Sequence, residues 1–204
     1  MMRFWIPFCL ATLPCILLAS EHEPAPRPLS QTEIIKREAQ KSYRTLTVHA
    51  EQGTKWFGSE DARYGYTIAF SVVRPEPRFA FVGRPAQAVW SVYYMNTRGS
   101  GFANQPERSM DTVGATIGAR YPLGLVLRNE MFLEAGWGLS YSSQNTIDLD
   151  SKVNSTPYLG AGFFFNTAGQ QWIVGVRWWH MSNAGFRGQN LGMNNMQYTL
   201  GIRF

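Results

Sequence analysis

From about residue 44 onward the chain alternates at every second position. In "ARYGYTIAFSV", Tyr64, Tyr66, Ile68, Phe70 and Val72 share one face of an extended segment, and Arg63, Gly65, Thr67, Ala69 and Ser71 share the other. "TVGATIGARY" sets Val113, Ala115, Ile117, Ala119 and Tyr121 against Thr112, Gly114, Thr116, Gly118 and Arg120. "MFLEAGWGLSY" sets Met131, Leu133, Ala135, Trp137, Leu139 and Tyr141 against Phe132, Glu134, Gly136, Gly138 and Ser140. The same period recurs near 44–52, 88–97, 156–165, 171–182 and 195–204, with turn-rich gaps between, which predicts eight strands.

The chemistry of the second face decides which solvent the first one meets. A soluble barrel or sandwich, of the lipocalin kind for example, buries its apolar face and covers the other with Lys, Glu and Asp. Here the second face is Gly, Ser, Thr and Ala with isolated charges such as Arg120, Glu134 and Arg177. Small residues and a few pairable charges suit the interior of a narrow closed barrel, which leaves the large apolar faces to lipid. Strands of about 9–11 residues are long enough to cross a bilayer when tilted, and only a closed sheet leaves no edge unpaired there. The fold class predicted is all-β: an eight-stranded antiparallel transmembrane β-barrel in a cell outer membrane, spanning 44–204. With a periplasmic N-terminus, "NTAGQ" becomes a short periplasmic turn, while the 74–87 connection is longer than such turns usually are.

Composition adds to this without changing it. Aromatics make up 14% of the 204 residues and charged residues only 16%, a balance suited to β structure. The net charge of +5 comes from scattered Lys and Arg with no basic stripe, which argues against nucleic acid and is compatible with anionic lipid. Residues 1–20, with Arg3 ahead of an apolar run and small residues at Ala19 and Ser20, read as a signal peptide interrupted by Pro7 and Pro14. Both cysteines, Cys9 and Cys15, fall inside it, so the mature chain is expected to form no disulfide. Residues 21–43 read as a Pro-rich periplasmic linker followed by a short helix, with Ser30 and Glu33 at capping-box spacing.

The alternation carries one anomaly. Trp172, Val174, Val176 and Trp178 continue as His180 and Ser182 on the lipid-facing side. Residues i and i+2 of a strand lie about 7 Å apart, so imidazole and hydroxyl can meet after modest rotation. Histidine is the usual base that turns a serine hydroxyl into a nucleophile. The plainer alternative is a pair of polar residues tolerated at headgroup depth. No metal or other cofactor is called for by either reading.

"HMSNAG", followed by "NLGMN" and a final strand of Met196, Tyr198, Leu200, Ile202 and Phe204, resembles the PagL family of outer-membrane lipid A 3-O-deacylases. The resemblance implies an eight-stranded barrel that hydrolyses an ester-linked acyl chain of lipopolysaccharide through a lipid-facing Ser-His-Glu triad. It implies Ser182 as nucleophile, His180 as general base and Asn183 in the oxyanion hole. The family's glutamate falls, by spacing, at Asn194, and no Asp or Glu occurs anywhere in 177–204. Three outcomes follow: reduced activity with Asn194 as third member, a carboxylate such as Asp148 or Asp150 reaching over from a loop, or a degenerate enzyme. Glu134 points inward and is a poor substitute. Arg187, just beyond the cluster, is either a solvated loop charge or a contact for a lipid A phosphate. A competing function of another class is a non-catalytic barrel, adhesin-like or structural, with the same strands and no chemistry.

Overall fold

The computed structural model describes residues 27–99, 109–186, 188 and 190–204; Cys9 and Cys15, and Arg187, lie outside the described residues. A helix, α1 (Gln31–Ala39), is followed by β1 (Tyr43–Thr54), β2 (Arg63–Pro75), β3 (Gln87–Gly99), β4 (Ser109–Val126), β5 (Asn129–Ser142), β6 (Val153–Ser155), β7 (Tyr158–Thr167), β8 (Gln170–Met181) and β9 (Met193–Arg203). Every pairing is antiparallel, the order runs β4-β3-β2-β1-β9-β8-β7-β5, and β4 pairs with β5 to close the cylinder. Leu139 opposes Ser155 and Gly136 opposes Tyr158, so β6 and β7 keep one register and form a single barrel strand interrupted at Thr156-Pro157. The barrel therefore has eight strands.

Its burial is inverted relative to a water-soluble sheet. Leu133, Trp137, Leu139 and Tyr141 on β5 are all 41% or more exposed, while Arg120, Glu134, Thr116 and Gln197 are buried inside. Only a hydrocarbon surround makes that arrangement favourable, because it puts the apolar faces in lipid and pairs the polar ones within. The class this defines is the outer-membrane β-barrel. Two-residue turns at Leu127-Arg128 and Ala168-Gly169, each with positive φ at both positions, join strands at one end, and long loops join them at the other. Short turns mark the periplasmic end and long loops the outer one.

The interior is less uniformly small than the alternation suggests. Toward the outer end Tyr93, Met95, Met110, Tyr158, Trp179, Met181 and Met193 form an apolar plug of large side chains. Glycines make room for it: a Cβ at Gly136 would lie 2.5 Å from Tyr158 Cε1. Below the plug the interior is a paired polar network. Arg120 Nε donates to Glu134 Oε2 at 2.7 Å, Arg177 Nε donates to Gln197 Oε1 at 2.5 Å, and Gln197 and Asn195 donate to Glu51 at 2.6 and 2.9 Å. The Arg177 guanidinium also sits 4.8 Å from the Tyr158 ring centre. A packed interior leaves no aqueous channel, which excludes a porin.

Glu134 is the shared counter-charge, with Arg120 in contact and Arg177 Nη1 at 4.0 Å. Glu134→Ala strands two buried guanidinium groups, and breaking such a pair costs about 3–5 kcal/mol. A drop of that size in reversible denaturant unfolding from lipid vesicles is the expected result; a change of under about 1 kcal/mol would show the network to be hydrated rather than paired.

At the periplasmic end α1 covers the mouth. Ser30 and Glu33 form a reciprocal capping box, and the Ser30 N–H and hydroxyl bonds hold the exposed Glu33 carboxyl below its ordinary pKa. The Gln31 amide behaves as a strand partner for the projecting end of β4, accepting from Leu125 N at 2.8 Å and donating to Leu125 O at 3.2 Å. That docking, together with a bulge between Pro122 and Gly124, lets β4 run well beyond the 112–121 segment its alternation marks.

Candidate active site

The ends of β8 and β9 bring the anomalous residues together. His180 pairs with Asn194 across the two strands, and alternation puts both side chains on the outer face. Asn194 is nevertheless fully buried, because the 55–62 loop folds over it. Its Nδ2 donates to the Trp56 carbonyl at 2.8 Å, and its Oδ1 lies 2.9 Å from His180 Nδ1.

These two contacts fix a tautomer. A carbonyl oxygen can only accept, so the amide nitrogen of Asn194 must face Trp56 and its oxygen must face the imidazole. Nδ1 of His180 therefore carries the proton, and Nε2 keeps its lone pair toward the site. The ring is further held by stacking on Trp178, with centroids 5.7 Å apart and planes 22° apart, while Phe57 abuts Trp178 edge-on at 5.9 Å. Gly192, at φ +77°, lies close to Cε1 of the imidazole, where a Cβ would overlap the ring.

Ser182 lies just past the end of β8, bridged to Ser155 by two backbone bonds of 2.7 and 3.0 Å. Its hydroxyl meets Ser155 Oγ at 3.2 Å, not His180. Imidazole and hydroxyl share the outer face two residues apart along the chain. Asn183 is buried, and its Oδ1 caps the following turn by accepting from Gly185 N at 2.9 Å. Its backbone N–H donates to Asn190 Oδ1 at 3.0 Å.

Neither Asp148 nor Glu134 reaches over to His180. Asp148 is wholly buried and its two oxygens accept from Ser59 Oγ at 2.8 Å and from the Glu60 and Asp61 N–H groups at 2.9 Å each. Asp150 lies against Gly188. Glu134 is inside the barrel, on Arg120. The orienting group beside His180 is the Asn194 amide.

Asp148 has a role that sequence reading missed. Its carbonyl accepts from Leu191 N at 3.0 Å and Gly192 N at 3.4 Å, so one residue ties the 143–152 loop to both the 55–62 and the 183–192 loops. The first of those supplies the Trp56 carbonyl to Asn194, and the second supplies the Gly192 wall to His180. Asp148→Ala is expected to lower any turnover at this site about 10- to 100-fold by misplacing both, since small displacements near the chemistry are that costly. Rates on lipid A, with heat-modifiability on gels confirming a closed barrel, check this; an unchanged rate would mean that the loops hold without it. A lone Asp in a loop carries no signal of that kind in the sequence.

Residues 41–203 match the family model described as Lipid A 3-O-deacylase (PagL). The chain belongs to that family. A solved structure, "Crystal structure of the outer membrane enzyme PagL", is similar to it at a TM-score of 0.57 and 20% identity over 78% of this chain and 98% of that one, a likeness of fold. No curated protein matches the chain.

Proposed function

We propose that the protein is a serine esterase that removes the 3-O-linked acyl chain of lipid A, with Ser182 as nucleophile, His180 as general base and Asn194 as the group that orients it. The observation that carries this is the Trp56–Asn194–His180 chain, which holds the imidazole with its proton on Nδ1 on the lipid-facing wall, two residues along the chain from Ser182.

In this reading lipid A approaches laterally in the outer leaflet, and its acyl chains lie along the apolar face formed by Leu139, Val153 and Leu159 near the site. The Ser182 hydroxyl turns from Ser155 to His180, gives its proton to Nε2, and its oxygen bonds to the ester carbonyl carbon. The carbonyl π pair moves onto oxygen, where the Asn183 amide is the candidate donor. Collapse breaks the bond to the sugar oxygen, which leaves with the proton from His180. Water, deprotonated by the same nitrogen, then releases the fatty acid from Ser182. Residues 1–20 would act as the export signal and 21–43 as the periplasmic linker and helix ahead of the barrel.

Mass spectrometry of lipid A from cells with and without the protein tests the reading. Loss of one ester-linked acyl chain, with fragmentation placing the free hydroxyl at the 3-position, is expected. Identical lipid A in both cells would favour a barrel without chemistry.

A further inference from the structure

We propose that the β2–β3 connection, residues 76–86, is a second lipid-binding element: an interfacial anchor that takes acidic phospholipid headgroups at the periplasmic leaflet, at the opposite end of the barrel from the Ser-His pair. The segment is longer than a periplasmic turn usually is and has local structure of its own. Pro77–Phe79 form a 3₁₀ turn, and Phe81 and Arg84 close a tight hairpin with bonds of 3.2 and 2.9 Å, Val82 and Gly83 taking φ of 48° and 70° at its tip. That tip is apolar: Phe81 is 68% exposed and Val82 83%.

Its position shows what it meets. Tyr121 continues the outward line of Val113, Ala115, Ile117 and Ala119, and its hydroxyl donates to the Phe79 carbonyl at 3.0 Å. The connection is therefore held against the outer wall of the barrel beside β4, not beneath the mouth, which α1 occupies. A hydrophobic tip on that side is bathed by the membrane interface.

The charges around it have one sign left over. Arg78 is neutralised by Glu76, whose carboxyl its guanidinium holds down at about 2. Arg74 on the lipid-facing side of β2, Arg84 in the hairpin and Arg128 in the neighbouring β4–β5 turn are exposed and have no acidic partner among the described residues. Leu127, next to Arg128, is 90% exposed. Apolar tips interleaved with unpaired guanidinium groups match a surface of acyl chains beneath phosphodiester headgroups, with Arg suited to bind phosphate through two N–H groups. Lipid A of the outer leaflet lies on the far side of the membrane and does not reach them.

The test is photocrosslinking of the full-length protein in bilayers containing phosphatidylglycerol or phosphatidylcholine with a diazirine near the glycerol backbone, followed by peptide mapping. Crosslinks to 79–86 and 127–128 are expected, stronger with phosphatidylglycerol, and reduced at least about fivefold in the Arg74→Gln/Arg84→Gln/Arg128→Gln variant. Phe81→Ser/Val82→Ser should lower the yield with both lipids. Heat-modifiability of each variant confirms the fold without reference to catalysis. No crosslink to the hairpin, or equal yields from both headgroups in wild type and arginine variant alike, would overturn the proposal.

Discussion

Ser182→Ala is expected to lower lipid A deacylation by about three orders of magnitude or more, the scale on which removal of a nucleophile collapses a catalytic unit. The barrel should be untouched. The Ser182 hydroxyl makes one side-chain contact, to Ser155 Oγ at 3.2 Å, and losing a bond of that kind costs about 1 kcal/mol. The two backbone bonds to Ser155 do not depend on the side chain. Wild type and variant should therefore show the same heat-modifiability, with unfolding free energies within about 1 kcal/mol of each other, and differ chiefly in released fatty acid. A variant that still deacylates at a tenth of the wild-type rate would remove Ser182 from the chemistry.

The second large effect concerns the missing carboxylate. Asn194→Glu is expected to raise turnover about tenfold, because a carboxylate at His180 Nδ1 stabilises the imidazolium that forms as Ser182 attacks. In a serine protease the reverse change, Asp to Asn, costs about four orders of magnitude, partly through the wrong tautomer. Here the tautomer is already right, since the Trp56 carbonyl dictates the amide orientation, so only the electrostatic share is left to regain. The same carbonyl limits the gain: glutamate cannot donate to it and would face it with a second negative oxygen. Asn194→Ala should act oppositely, lowering turnover about tenfold or more by releasing the ring. If the glutamate variant is slower than wild type with the barrel intact, Asn194 serves through its bond to Trp56 and not as a catalytic third member.

How much of this the sequence discloses depends on which forces carry each feature. The alternation in 63–73, 112–121 and 131–141 is sharp because one face meets hydrocarbon along its whole length and the other a crowded interior. It blurs where both faces are bulky, as in β3 and β8, so the plug around Tyr93 and Trp179 is not legible in it. His180, Ser182 and Asn194 are legible because period-2 parity and an antiparallel return place them on one surface. What Asn194 touches is not. A backbone carbonyl at Trp56 has no residue identity, and its approach rests on loop contacts through Asp148, some 90 residues from the groups it binds. The resting partner of Ser182 was hidden for a related reason: Ser155 reaches it only through the interrupted β6–β7 strand, where Pro157 cannot donate. The overlong 74–87 gap stands out in the sequence as a misfit with a periplasmic turn. Its hairpin and its place on the outer wall become visible only once Tyr121 is seen to hold it.

The most direct measurement of the central claim is covalent capture. A long-chain alkyl fluorophosphonate, offered to the protein in mixed micelles, reacts with an activated serine and leaves a stable adduct that peptide mass spectrometry can place. The account predicts a single adduct on Ser182, formed more slowly in Asn194→Ala and absent from Ser182→Ala. An adduct on another residue such as Ser155, or none at all on a protein that deacylates lipid A in the same micelles, would contradict it.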